Sequence, residues 1–418
     1  MAQQEKTIFV YENWRREQPT LLGRLHSAVV RGQENFSFEY DEQWLREGTH
    51  TALDPDLALY RGRQYTPLDK RLFGLFADSC PDRWGRLLMQ RKEALTAKRE
   101  ARKPSKLMES DYLLGVYDAA RMGALRFSLE EGGAFLSDDK ALATPPWVQL
   151  RTLEHASLAF EKDESGLEER WLNQLLAPGS SLGGARPKAT VQAADGALWI
   201  AKFPSKHDEA NSGAWEKVVH DLARLCGLNV PESQLETFSK TGSTFLVKRF
   251  DRVGTQRIHF SSAMTLLGKT DGASAADGSS YLDLAAFLRS NGAEPKRDLE
   301  ELWKRIVFSM AVSNTDDHLR NHGFLLAKTG WHLAPLFDVN PVPFGDRLSL
   351  NVSEYDNAID LGLALEVAEY FGLSQKTAEQ AAEKLCQTVR ENWEKIASHY
   401  GLSRGAIEYM RPAFSLNM

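Results

Sequence analysis

An α+β fold is the class that this sequence predicts, and three observations support it. The chain has 418 residues, which at about 150 residues per domain suggests two or three domains, or one large two-lobed one. Strand-like runs broken by Gly and Pro fill much of the first part, whereas the chain beyond Asp298 has mainly helical periodicity. Hydrophobic residues make up 42% of the chain, so a large core is expected and a wholly disordered chain is excluded.

Charge and cysteine content exclude further classes. The net charge is −6, which argues against a protein that coats nucleic acid by charge alone. The three cysteines are far apart and include no CxxC pair, so neither a disulfide framework nor a structural zinc site is expected. The N-terminus lacks a signal-peptide pattern, and no apolar run reaches the length of roughly 18 residues that a membrane span needs. We therefore expect a cytoplasmic protein without a membrane segment.

The N-terminal region, residues 1–135, predicts a small mixed domain. Thr7–Tyr11 and Ser37–Tyr40 are strand-like, and a helix is predicted from about Asp82 to Ala101. The helix end is basic, which is typical of a solvated surface; a contact surface for nucleic acid or an acidic partner is the alternative. Residues 136–170 are polar and acidic and are predicted to be the connection to the rest of the chain.

A hairpin between two helices is predicted in the next segment. Trp171–Ala177 is expected to be helical, and the strands Lys188–Ala194 and Ala197–Phe203 are joined by Asp195-Gly196, a strong hairpin signal. Asn211 then caps a helix that ends near Gly227.

Two long helices are predicted in the last part of the chain. Asp298 and Glu301 form a capping-box-like start for Leu299–Ala311. The last long helix has one apolar face, made of Ala378, Ala381, Leu385, Val389, Trp393 and Ile396.

The first candidate for chemistry is the Gly-rich loop Gly179–Lys188. Gly179-x-Ser181-x-Gly183 matches a hydrolase nucleophile elbow, but that motif requires a strand before and a helix after, whereas here a helix precedes and a hairpin follows. A loop that covers nucleotide phosphates, with backbone amides near the phosphate oxygens, fits the hairpin better. Taken alone, this signal is weak, and an ordinary flexible loop is the better interpretation.

Lys202 is the second candidate. A lysine near the end of an apolar strand, one hairpin after a Gly-rich loop, occupies the place where kinases hold nucleotide phosphates. Glu216, on the following helix, is the candidate partner. An edge-strand lysine with its ammonium in water is an equally good interpretation when the residue is taken alone.

The third candidate is the segment from Asn314 to Asn321. Asp316 and Asn321 are five residues apart, the spacing of the catalytic Asp and the metal-binding Asn in the kinase catalytic loop. The Asp accepts the proton of the attacking hydroxyl, and the Asn binds Mg²⁺.

Asp338 is the fourth. The runs between Asn321 and Asp338 predict an antiparallel hairpin, which would bring Asp338 back beside Asn321. Two hard oxygen donors suit Mg²⁺ better than zinc. A zinc hydrolase using His318, His322 and Asp338 is the weaker alternative, because no helical HxxxH pair is present.

The linear order of these features matches that of a kinase, and three segments carry a closer likeness. These segments are Ser181-Leu-Gly-Gly-Ala-Arg-Pro-Lys188, Asn314-Thr-Asp-Asp-His-Leu-Arg-Asn321 and Pro335-Leu-Phe-Asp-Val-Asn-Pro341. They resemble the HipA family, which consists of bacterial serine/threonine kinases that are toxins of HipBA-type toxin–antitoxin modules. The family's small N-terminal domain is resembled by Gly23–Leu25 and Phe36–Asp41, and its next characteristic segment by Asp78–Gly85.

The resemblance implies a two-lobed protein-kinase-like fold of the phosphatidylinositol-kinase-like branch, with a small mixed N-terminal domain. The kinase domain would be 171–418, with a nucleotide-binding part at about 171–260 and a mainly helical catalytic part at about 261–418. Asp316 would be the catalytic base, and Asn321 and Asp338 the Mg²⁺ ligands. The implied ATP-binding residues are Ser181, Gly183, Gly184, Ala185, Lys188, Lys202, Glu216 and His318.

Regulation and partners are implied as well. A serine of the Gly-rich loop is autophosphorylated in this family, which silences the kinase, and Ser181 matches it, with Ser180 beside it. The implied partners are a DNA-binding HipB-like helix-turn-helix antitoxin and a protein substrate such as an aminoacyl-tRNA synthetase. The resemblance links the protein to growth arrest and persistence. Asp317 departs from the family pattern, since a Gly or another polar residue is expected there; the spacing to Asn321 favours Asp316 as the base.

Alternatives remain from other classes. A kinase-like scaffold or co-repressor in a DNA-bound antitoxin complex would have no physical need of a convergent Mg²⁺ site. A small-molecule or lipid kinase would share the same catalytic residues, and a nuclease built on the acidic cluster is the most distant alternative.

Overall fold

A computed structural model describes residues 5–47, 51–136, 144–162, 175, 184 and 186–416. The chain divides into two compact units. Unit 1 comprises residues 1–205 and 249–261, and unit 2 comprises 206–248 and 262–418. The domain boundaries expected from the sequence stay a prediction.

Unit 1 contains a five-stranded antiparallel sheet in the order β4-β3-β2-β1-β5. Its strands are β1 (Glu5–Glu12), β2 (Thr20–Val30), β3 (Gln33–Tyr40), β4 (Gln64–Tyr65) and β5 (Leu125–Ser128). Ile8 and Val10 of β1 lie two residues apart, as the period of two requires, and both are completely buried, as is Phe38 of β3. The strand-like runs predicted at Thr7–Tyr11 and Ser37–Tyr40 are confirmed.

Helices and two hairpins complete unit 1. The helices are α1 (Glu42–Arg46), α2 (Gly74–Ala77), α3 (Arg83–Arg99), α4 (Glu109–Leu114) and α5 (Leu150–Glu161). The hairpins are β6 (Lys188–Gln192) with β7 (Leu198–Lys202), and β10 (Arg252–Val253) with β11 (Gln256–Arg257). Gly196 takes a positive φ in the first hairpin's turn, so the Asp195-Gly196 prediction is confirmed. Helix α5 lies within the segment predicted to be a connection.

A buried charge network fastens the 249–261 segment within unit 1. Asp251 is fully buried and accepts from the guanidinium groups of Arg249, at 2.6 and 2.9 Å, and Arg252, at 2.6 Å. The N–H of Gly123 also donates to it at 2.8 Å. Burial alone would raise the pKa of Asp251, but the two arginines lower it to about 2. The carboxylate is therefore held fully ionised in the interior.

Unit 2 combines two hairpins with a set of helices. Its strands are β8 (Ser233–Glu236), β9 (Thr244–Lys248), β13 (Gly323–Ala327) and β14 (Gly330–Leu333), and β12 (Phe260–Ser262) lies where the chain passes from unit 1 into unit 2. Its helices are α6 (Ser212–Leu225), α7 (Ala263–Leu266), α8 (Tyr281–Asn291), α9 (Pro295–Ala311), α10 (Leu361–Glu366), α11 (Gln375–His399) and α12 (Arg404–Met410). Trp303 of α9 is completely buried, and its indole N–H donates to the carbonyl of Ala364 at 2.7 Å. Among the described helices, none has the length and apolar character that a membrane crossing demands.

Two details of the helix predictions are wrong. Helix α9 begins at Pro295, because proline suits the first turn, and Asp298 does not cap it. The Asp298 carboxylate instead lies 3.1 Å from Nδ1 of His332 and accepts from the N–H of Leu333 at 3.2 Å. On α11 the fully buried face contains Ala382 and Ala397 in place of Ala381 and Ile396. The cap of α6 by Asn211 is confirmed.

Candidate functional site

The candidate catalytic loop, residues 313–322, follows directly after α9. Ser313 has a φ of +49°, a conformation that costs energy for a residue with a side chain. Asn314 turns its N–H back to the carbonyl of Ser309 at 2.8 Å. Its side-chain amide donates to Ser309 Oγ at 3.4 Å and accepts from the N–H of Asn340 at 3.2 Å. Asn314 therefore fastens the loop both to α9 and to the chain just beyond Asp338.

The two adjacent aspartates of this loop have opposite environments. Asp316 is exposed, and within the described part of the chain its carboxylate has no hydrogen-bond partner. Asp317 is 2% exposed. Its Oδ2 accepts from the hydroxyls of Tyr281, at 2.6 Å, and Ser309, at 3.2 Å, while Nε2 of His322 lies 3.1 Å from its Oδ1. Asp316 has the access that a catalytic base requires, whereas Asp317 belongs to the interior.

Burial and neighbouring groups shift the pKa of Asp317 in opposite directions. Burial raises the pKa, but the imidazole of His322 and the hydroxyls of Tyr281 and Ser309 hold it below its usual range. Burial, together with the contact to Asp317, raises the pKa of Tyr281 well above its usual range. At neutral pH the pair is therefore an ionised acceptor and a neutral donor.

The side-chain amide of Asn321 is hydrogen-bonded, among the described residues, through its nitrogen only. Its Nδ2 donates to the backbone carbonyl of Asp316 at 2.9 Å, and the N–H of His318 donates to the same carbonyl at 2.9 Å. The first of these bonds fixes the direction of the amide. Oδ1 is buried, and among the described residues it has no hydrogen-bond partner. An unmet buried acceptor costs about 1–3 kcal/mol, so this oxygen is a candidate for binding a ligand.

An antiparallel hairpin, β13 with β14, leads the chain from Asn321 towards Asp338, as the sequence predicts. The N–H of Val342 donates to the carbonyl of Ser313 at 3.0 Å, so this returning segment is bonded to the catalytic loop. Asp338 is half-buried and has a φ of +57°. Strained non-glycine backbone of this kind persists only where the surroundings enforce it, and it is concentrated at functional sites.

The donor set fits Mg²⁺ and does not fit zinc. The Asn321 oxygen and the Asp338 carboxylate are hard donors, and Mg²⁺ is usually held by one or two such protein groups, with water and phosphate oxygens completing its shell. The described residues contain no group of three or more His, Cys, Asp or Glu side chains suited to a metal ion. His322, a ligand in the zinc alternative, faces Asp317 in the interior. The zinc alternative stays the weaker prediction.

His318 lies in this loop and is partly exposed. Its Nε2 is 3.4 Å from a guanidinium nitrogen of Arg320, and its Nδ1 is buried with no hydrogen-bond partner in the described ranges. Arg320 in turn pairs with Asp271 at 3.0 Å. The predicted role of His318 in nucleotide binding stays a prediction.

The lysines expected to contact phosphates lie in unit 1. Lys188 and Lys202 are directly opposite each other in the β6–β7 register, and both are buried. The ammonium of Lys188 lies 2.7 Å from Oδ2 of Asp82, the residue that caps α3. Gly184 has a φ of +78°, which a glycine adopts readily.

The other predicted ATP-binding residues lie either in unit 2 or outside the described residues. Glu216 is buried in α6 of unit 2, whereas Lys202 belongs to unit 1, and their pairing remains a prediction. Ser181, Gly183 and Ala185 lie outside the described residues, as does the predicted helix Trp171–Ala177 apart from Leu175.

Sequence reasoning missed several residues that organise the site. Tyr281, Ser309 and Asn314 contact the catalytic loop or belong to it, and Asp82 pairs with a predicted phosphate-binding lysine. Only Asn314 had a signal, as part of a loop rich in Asp, His and Asn. The others are distant in sequence, so their contacts depend on the fold.

The fold and this loop together define an α+β, kinase-like protein. Two family models match the chain: the HipA N-terminal domain at residues 18–128 and the HipA-like C-terminal domain at residues 180–393. The second match covers more than half of the chain. The chain therefore belongs to the HipA family, as its resemblance predicts.

Two curated relatives agree with this. The chain is 31% identical over 183 residues to "Putative kinase Y4mE" of Sinorhizobium fredii, covering 38% of this chain and 41% of that protein. It is 29% identical over 182 residues to a "Putative kinase" of Haemophilus influenzae, covering 39% and 52%. The chain thus spans about half, or less, of the length of these relatives.

A solved structure resembles the whole chain. It is a chain in the complex of HipA, HipB and operator DNA from the toxin–antitoxin system of Shewanella oneidensis MR-1. The two share 17% identity with a TM-score of 0.62, covering 98% of this chain and 96% of that one. This likeness concerns the fold, and it confirms the predicted α+β, kinase-like class.

Proposed function

We propose that this chain is an ATP- and Mg²⁺-dependent serine/threonine protein kinase. The observation that carries the proposal is the oriented amide of Asn321, whose unpartnered Oδ1 lies in the same loop as the exposed carboxylate of Asp316. Asn321 and Asp338 would hold Mg²⁺, which when bound neutralises charge on the transferring phosphoryl group. Asp316 would orient the acceptor hydroxyl and accept its proton. The acceptor oxygen then bonds to the γ-phosphorus as the bond to the bridging oxygen breaks, and ADP leaves.

The β6–β7 hairpin supports a phosphate-binding role for two lysines. The two lysines lie directly opposite each other in the β6–β7 register, and Asp82 lies beside Lys188. Lys188 and Lys202 would hold the phosphates of ATP, and the Gly-rich loop would cover them.

We also propose a toxin role with a DNA-binding partner. The Shewanella protein with the same fold was solved with HipB and operator DNA. By analogy, a HipB-like helix-turn-helix antitoxin would neutralise this chain and bring it to DNA indirectly. The protein substrate would be an aminoacyl-tRNA synthetase, the target class that the family resemblance names, and autophosphorylation of Ser181 would silence the kinase.

The test is the intact mass of the unphosphorylated protein after incubation with ATP and Mg²⁺, beside an Asp316→Asn control. We expect the wild type to gain one phosphate that maps to Ser181 and the control to gain none. A wild type that binds ATP but gains no phosphate on itself or on protein acceptors would contradict the proposal. The scaffold and small-molecule alternatives would then be favoured.

A further inference from the structure

The side chain of Asp317 is the hub of a hydrogen-bonded cluster beneath the candidate catalytic loop. It contacts three residues from three places in unit 2: Tyr281 at the start of α8, Ser309 near the end of α9, and His322 at the end of the loop. Tyr281 and His322 also pack edge to face, with ring centroids 5.6 Å apart. All four side chains are essentially excluded from solvent.

One branch of this cluster leads to Asn321. Asp317 lies directly after Asp316, whose backbone carbonyl receives the Nδ2 hydrogen bond of Asn321. On the other side of Asn321, Nε2 of His322 lies 3.1 Å from Oδ1 of Asp317, and the His322 carbonyl accepts from the N–H of Ala263 at 2.7 Å. The two residues that follow the partners of the Asn321–Asp316 hydrogen bond, Asp317 after Asp316 and His322 after Asn321, therefore contact each other.

The other branch leads to the segment that carries Asp338. Ser309 Oγ donates to Asp317 and accepts from Nδ2 of Asn314. Oδ1 of Asn314 accepts from the N–H of Asn340, two residues beyond Asp338. A continuous chain of hydrogen bonds thus runs from the Asp317 carboxylate to the backbone beside the second candidate ligand.

We propose that Asp317 is a positioning residue that orients both cation ligands, Asn321 and Asp338, and that Tyr281 and Ser309 hold it in place. This rests on the proposed function of the site. It gives the second aspartate of the Asp316–Asp317 pair a task of its own, distinct from that of the base. Groups that orient metal ligands typically affect metal affinity by about 10- to 100-fold when they are removed.

The test compares two tyrosines whose hydroxyls each donate a hydrogen bond to a buried aspartate. Tyr281→Phe removes a hydroxyl that donates to buried Asp317, and Tyr400→Phe removes a hydroxyl that donates to buried Asp221 at 2.5 Å in the same unit. Binding of Mn²⁺ to the full chain is followed by electron paramagnetic resonance with a non-hydrolysable ATP analogue present. Thermal unfolding of each variant checks the fold.

We expect Tyr281→Phe to weaken Mn²⁺ binding by about tenfold and Tyr400→Phe to change it less than about twofold. Ser309→Ala removes the second hydroxyl donor and, if Tyr281→Phe does not fold, carries the test with the same expected direction. Unchanged Mn²⁺ binding in a folded Tyr281→Phe protein, or equal weakening in both tyrosine variants, would overturn the inference alone. A wild type that fails to bind Mn²⁺ would overturn the proposed function as well.

Discussion

The Asp251 network of unit 1 and the catalytic loop of unit 2 use acidic residues in opposite ways. Around Asp251, two guanidinium groups and a backbone N–H occupy the carboxylate, which has no exposure to solvent. In the catalytic loop, Asp316 is exposed and Asn321 Oδ1 has no partner among the described residues. The Asp251 carboxylate is fully paired, whereas the Asn321 oxygen keeps an acceptor that the proposed cation could use.

Asp317 stands between these two extremes. It is buried like Asp251, but its partners are neutral hydroxyls and an imidazole instead of guanidinium groups. The comparison therefore separates a carboxylate that is paired with two arginines from the carboxylates that are predicted to serve binding and catalysis.

The largest expected effect is the loss of activity in Asp316→Asn. General-base catalysis contributes about 10²–10⁴-fold, so kcat for phosphoryl transfer should fall by that factor. Because Asp316 is exposed, the free energy of unfolding should change by less than about 0.5 kcal/mol. Steady-state kinetics and urea unfolding on the same preparation measure both. A folded variant with wild-type kcat would exclude Asp316 as the base.

In contrast to Asp316→Asn, Asp251→Ala should mainly lower the free energy of unfolding. Removing one partner of a buried ion pair destabilises by about 3–5 kcal/mol, because Arg249 and Arg252 would keep buried charges without this carboxylate. The midpoint of urea unfolding should fall accordingly. Lys248→Ala, which removes a half-exposed ion pair with Glu232, is the control and should cost about 1 kcal/mol or less. Equal losses in the two variants would remove the distinction drawn here.

Acid should weaken the same network. The pKa of Asp251 is about 2 in the folded protein, below the ordinary value of 3.8, so its contribution is present above about pH 4 and is lost as the pH falls towards 2. The shift corresponds to about 2 kcal/mol of unfolding free energy. Unfolding followed by circular dichroism between pH 6 and pH 2 should therefore show a shallower acid dependence in Asp251→Asn than in the wild type. Parallel profiles would contradict this assignment.

The smallest expected effect concerns added charge in the Gly-rich loop. Ser181→Asp should weaken ATP binding by about tenfold, equivalent to about 1.4 kcal/mol, because a carboxylate near the nucleotide phosphates repels them. Titration calorimetry with a non-hydrolysable ATP analogue measures this, with Ser181→Asn as the uncharged control. Equal affinities for the two variants would count against silencing by phosphorylation.

Local signals explain what the sequence predicted well. Asp195-Gly196 marks a hairpin and Asn211 marks a helix start, and each depends on a few neighbouring residues. The return of the chain towards Asp338 was also predictable, because the β13–β14 hairpin depends on a short local turn. Such features need no knowledge of the tertiary structure.

Contacts between distant segments explain what the sequence could not predict. Asp316 and Asp317 are adjacent residues of the same type, and Asp317 is the buried one, in contact with Tyr281, Ser309 and His322. The start of α9 was misplaced because the Asp298 carboxylate serves the β14 strand instead of the helix end. The pairing of Lys188 with Asp82 likewise has no local signal.

The most direct measurement compares Asp316→Asn with Asp317→Asn in phosphoryl transfer across a range of Mg²⁺ concentrations. If Asp316 is the base and Asp317 positions the cation ligands, high Mg²⁺ should restore much of the rate in Asp317→Asn and none of it in Asp316→Asn. Transfer that persists in Asp316→Asn, or a loss in Asp317→Asn that no Mg²⁺ concentration relieves while the protein stays folded, would contradict this division of roles.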